Sequence, residues 1–126
     1  MKYSALILVL FVLLFGKSAS AQSFEGVWKG TSKCQVKNSP CHDENNVYYI
    51  SNAGKTYEVN GYKIVNGKED FMGTLVFTYD EKQNAYVSVD REHDVKWEFK
   101  ITDNTMKGTL VVNGNLHRIV ELKKEN

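Results

Sequence analysis

Proline is nearly missing from this chain, with Pro40 the sole example among 126 residues. Because proline removes a ladder donor, only the neighbourhood of residue 40 is barred from a strand on that account. Cysteine is equally scarce: Cys34 and Cys41 are the complete set. That excludes a cysteine-rich scaffold and any four-cysteine metal centre. Neither sign of charge dominates, with 16 basic and 15 acidic residues. Recognition of nucleic acid or an anionic membrane requires a clustered positive surface, so neither is expected as a partner. The single long apolar run, Ala5 to Phe15, spans eleven residues. A bilayer-crossing helix needs roughly 18–20.

What is present at the start has another meaning. Lys2, the apolar run and the small residues Ala19-Ser20-Ala21 form the three parts of a cleaved secretory signal. The reading is a signal peptide over residues 1–21 and a mature chain over 22–126. The product is expected to be exported, periplasmic or secreted, with no transmembrane anchor. Cleavage removes Lys2 and Lys17, leaving fourteen basic residues against fifteen acidic ones and a net charge of −1. The remaining length suits one core and is too short for two domains.

An even cysteine pair in an oxidising compartment reads as a disulfide. Asn38-Ser39-Pro40 lies between Cys34 and Cys41 as a turn signal that folds the segment back. Closing so short a loop is worth about 2.5 kcal/mol on chain-entropy grounds. The competing reading is metal binding by Cys41-His42-Asp43-Glu44 with Cys34. Structural zinc recruits paired ligands two to four residues apart, a spacing this segment lacks. A disulfide-closed polar loop is therefore expected, without metal or cofactor.

Beyond the signal, the hydrophobic pattern has period two rather than 3.6. Val95-Lys96-Trp97-Glu98-Phe99-Lys100-Ile101 puts its apolar residues on one face and its charges on the other. Phe71, Gly73, Leu75, Phe77 and Tyr79 share a face by the same alternation. Asn66-Gly67 and Asn113-Gly114 are tight-hairpin signals, and other polar clusters punctuate the rest. The pattern predicts strands over 24–33, 46–51, 55–65, 70–79, 84–90, 94–101, 105–112 and 115–122. A shift of phase near Asn60-Gly61 predicts a β-bulge. Short connections favour an antiparallel up-and-down meander that closes into an all-β barrel, with a β-sandwich as the alternative. The recurrence of Gly-Thr at residues 30–31, 73–74 and 108–109 marks places where a barrel strand kinks or closely approaches a neighbour.

Gly26-Val27-Trp28 resembles the Gly-x-Trp signature on the first strand of the lipocalin and fatty-acid-binding superfamily. The resemblance implies a calycin-type barrel with structural roles for Gly26, Trp28 and Arg118. It further implies that Arg118, on the last strand, stacks over Trp28 in a cation–π contact. The run from Gly26 to Gly67 is also similar to small, uncharacterised exported bacterial proteins, which brings no activity with it.

The chemical signals are sparse. His93 lies in Asp90-Arg91-Glu92-His93-Asp94, the pattern of a solvated hairpin tip. No nucleophile elbow and no isolated cysteine is present, and the carboxylates fall in turns or on outward phases, so no catalytic residue can be named. The inward set carries the functional expectation. Trp28, Phe71, Phe77, Tyr79, Trp97 and Phe99 are the candidates to line a site for a small apolar ligand, with Phe24 and Leu75 beside them. Alternatively, these side chains simply fill the barrel. The outer face or the disulfide loop would then contact a protein partner or the cell envelope.

Overall fold

A computed structural model describes residues 23–126, so the signal peptide expected over residues 1–21 lies outside the described residues. Eight antiparallel strands follow one another: β1 (Gly26–Cys34), β2 (Glu44–Ala53), β3 (Thr56–Val65), β4 (Lys68–Asp80), β5 (Ala85–Asp90), β6 (Val95–Thr102), β7 (Thr105–Val112) and β8 (Asn115–Lys124). Each pairs with the next, and β8 returns to β1, closing an up-and-down barrel. The sandwich alternative is thereby set aside. Two hairpins turn as their sequences require. Asn66 and Gly67 take φ of 51° and 76°, and Asn113 and Gly114 take 50° and 77°, the left-handed pairs that suit a twisted two-residue loop.

Strand polarity gives the barrel two different ends. At the upper end lie the turns before β4, β6 and β8, together with the loop between β1 and β2. That loop is closed by the Cys34–Cys41 disulfide, whose Cα atoms stand 5.9 Å apart. At the lower end the chain plugs its own barrel. Phe24, just before β1, is fully buried; it stacks on Tyr86 at 4.0 Å and meets the edge of Tyr57 at 5.2 Å between ring centroids. Trp28 is also fully buried, and its Nε1 donates to the Phe24 carbonyl at 2.9 Å. Phe77, Phe99, Met106, Val120 and Leu122 continue the core above them.

Two of the Gly-Thr sites explain themselves at close range. A Cβ on Gly30 would stand 1.9 Å from the Glu121 carbonyl oxygen on β8. One on Gly108 would stand 2.3 Å from the Phe99 ring, which lies across β7 at its register partner. The third, Gly73, sits beside a bulge. Gly61 pairs with Gly73 but Tyr62 pairs with Phe71, leaving Met72 as an extra residue on β4. The bulge near Gly61 was expected in β3; its added residue belongs to β4.

Candidate functional site

Above the aromatic plug the interior is not filled. A cavity of about 420 Å³ lies among β2, β3, β4, β6 and β8. Its walls are Val59, Leu75, Phe77, Trp97 and Phe99, with Met72 and the backbone around Gly73 on the β4 side. Trp97 and Phe99 share the inner face of β6, their rings nearly parallel with centroids 6.0 Å apart. Tyr48 lies edge-on to Phe99 at 6.0 Å.

One side of this cavity is loosely fenced. β4 and β5 are in register only where Thr78, Tyr79 and Asp80 face Val87, Tyr86 and Ala85. From Lys68 to Phe77, β4 has no partner on its β5 side, and Met72, Leu75 and Val76 are exposed there. β5 ends at Asp90, so on the observed register it could reach no farther along β4 than Leu75.

The cavity also has a polar end. Arg118 lines it and gives both terminal nitrogens to acceptors above. Nη1 reaches Ser32 Oγ at 3.0 Å and the Ser32 carbonyl at 3.4 Å. Nη2 reaches the His42 carbonyl at 3.2 Å, Glu44 Oε1 at 3.3 Å and Cys41 Sγ at 3.4 Å. The other carboxylate oxygen of Glu44 accepts from Asn46 Nδ2 at 3.3 Å, and the same Nδ2 donates to the Tyr62 carbonyl at 3.2 Å. Asn46 Oδ1 is buried without a partner among the described residues. Burial pushes the Tyr48 hydroxyl well above the usual phenol range, with the Glu44 charge adding and Arg118 subtracting. Tyr48 therefore remains a neutral O–H throughout the physiological range.

Of the aromatics picked from the sequence, Phe77, Trp97 and Phe99 line the cavity, as does Leu75. Trp28 belongs to the sealed plug beneath it. Phe71 is 56% exposed, because the extra residue Met72 reverses the alternation and turns it outward. There its ring packs against Tyr62 at 5.3 Å, and Tyr62 against Tyr49 at 5.4 Å. Tyr79 keeps its inward phase but sits too near the lower rim. It is exposed, with its ring 5.1 Å from Tyr86 and its hydroxyl donating to Asn84. The expected stack of Arg118 over Trp28 is replaced as well. Lys124 Nζ takes that place, 5.3 Å from the ring centroid, because Trp28 pairs with Lys124 while Arg118 pairs with Cys34. Burial lowers the pKa of Lys124, and its ammonium donates to the Ser23 and Glu25 carbonyls.

Tyr48, Val59, Met72 and Arg118 are among the wall residues that the inward set omitted. For Tyr48 a signal existed: Asn46, Tyr48 and Ile50 alternate, but the unbroken run Val47-Tyr48-Tyr49-Ile50 conceals it. The polar candidates found other duties. Asp43 Oδ1 accepts from the Cys34 amide at 2.9 Å, and His42 Nδ1 approaches the Pro40 carbonyl at 3.2 Å. His93 Nδ1 meets Asp90 Oδ2 at 2.8 Å on the exposed turn before β6, a hydrogen bond that lowers the Asp90 pKa.

No protein-family model matches the chain, and no curated protein matches it.

Proposed function

We propose that this is an exported, lipocalin-like barrel that encloses a small, mainly apolar ligand between Phe77, Trp97, Phe99, Val59 and Leu75. The observation that carries the proposal is the hollow above a packed aromatic plug. Its volume falls within the roughly 300–1,000 Å³ typical of small-molecule sites. Enclosure needs no covalent step; the driving force is the removal of apolar surface from water, about 25 cal/mol per Å². The gap beside β4 is the route of entry. The disulfide between Cys34 and Cys41 supports export, since such bonds persist in oxidising compartments.

Native purification followed by solvent extraction and mass spectrometry tests the proposal, with a stoichiometric apolar species as the expected result. Trp97 supplies a second readout. Titration with apolar ligands changes its fluorescence in the parent, and W97F abolishes the change while Trp28 remains. A protein free of extracted species and silent to a broad ligand panel would overturn this reading. It would favour a second one, contact with a protein partner along β4. Unpaired strand edges accept an added strand, and Phe71, Met72, Val76 and Val89 are exposed near that edge.

A further inference from the structure

We infer that the cavity selects a ligand with an uncharged hydrogen-bonding head, an alcohol or a primary amide, over a carboxylate or an amine on the same alkyl chain. This rests on the ligand-binding reading above and specifies the chemistry of its polar end.

Arg118 is the one formal charge on the cavity wall among the described residues, and an isolated guanidinium there would call for an anionic head. It is not isolated. Glu44 Oε1 lies 3.3 Å from Nη2, with both side chains about five-sixths buried at 16% and 17% exposure. Arg118 and Glu44 cancel in formal charge, so the polar end is neutral before a ligand arrives. Ser32, His42 and Cys41 occupy the remaining reach of both terminal nitrogens. A carboxylate could form the usual two-pronged pair with those nitrogens only by displacing a partner already in place. It would also leave one uncompensated negative charge in a partly buried site, which is strongly unfavourable.

An ammonium head meets the mirror obstacle. Both oxygens of Glu44 are engaged, one by Arg118 and one by Asn46. What the cavity still offers is a dipole. Tyr48 lines the wall, and burial keeps its phenol in the neutral, hydrogen-donating form. An alcohol or amide oxygen can accept from that hydroxyl without adding charge.

The test compares 1-decanol, decanamide, decanoate and decylamine at neutral pH, reading Trp97 fluorescence and confirming by calorimetry. Decanol and decanamide are expected to bind at least about tenfold tighter than decanoate and decylamine. In E44Q the arginine loses its counter-charge, so decanoate should gain about tenfold while decanol changes less than about threefold. Decanoate binding the parent protein as tightly as decanol would overturn the inference while leaving enclosure intact. A folded E44Q that gains nothing for decanoate would overturn it too. Should E44Q fail to fold, the parent comparison decides alone. No binding by any of the four would remove the ligand-binding reading itself.

Discussion

Arg118 on β8 reaches past β1 to Glu44 on β2, and the same guanidinium holds the carbonyl of His42 in the disulfide loop. One side chain thus ties three neighbouring strands and their connecting loop at the upper end of the barrel. Removing it strands a mostly buried carboxylate and the acceptors on Ser32, Cys41 and His42. Arg118→Met should cost about 2–3 kcal/mol, below the full penalty of a wholly buried pair because some water reaches this one. The urea midpoint measures it. The double variant R118M/E44M should recover part of the loss, and a single-variant cost under about 0.5 kcal/mol would mean the pair is effectively solvated.

Phe24 is held by stacking rather than by the ladder, since it precedes β1. Phe24→Ala should cost about 3–4 kcal/mol, the range for emptying a large aromatic site. It should also unseal the lower end. Acrylamide quenching of Trp28, measured in a W97F background, should rise sharply in the variant and stay low in the parent.

The ring of Phe99 occupies the space that a side chain at position 108 would need. Gly108→Val should cost about 1–3 kcal/mol through overpacking and weaken ligand binding by turning Phe99 from the cavity wall. Adding F99L should restore most of the stability. No rescue would place the strain in the β7 backbone instead.

Tyr48 couples the polar end to pH. Its folded-state pKa lies above the unfolded value of about 10, so below pH 10 both states are protonated and its contribution is fully present. As pH rises above 10 the unfolded chain releases this proton and the folded chain retains it, so stability falls. Phenolate absorbance should show Tyr48 ionising only as the barrel unfolds. In Y48F, unfolding should show a weaker dependence on pH above 10.

Faces were legible in the sequence, whereas heights along the barrel were not. Alternation around Trp97 and Phe99 and the two Asn-Gly turns led directly to the strand number and the closed meander. The resemblance placed Arg118 over Trp28, whereas the structure gives it Ser32, His42 and Glu44. Its partner depended on register between β8 and β1, where Trp28 and Cys34 are six residues apart, about 20 Å along a strand. Periodicity says nothing about that separation. Phe71 was misplaced for a related reason: a single inserted residue, Met72, inverts every face assignment before it. The cavity was legible only as an aromatic interior, because the volume left between side chains follows from their rotamers and from strand tilt.

The short register between β4 and β5 has a dynamic consequence. Every other seam of the barrel carries a longer ladder, so the least costly partial opening parts Thr78, Tyr79 and Asp80 from their partners and loosens the Tyr79–Tyr86 contact at the rim of the plug. Amide exchange at the β5-facing positions of β4 should therefore outrun that of β7 and β8 by orders of magnitude, and under the proposed function a ligand would pass without global unfolding.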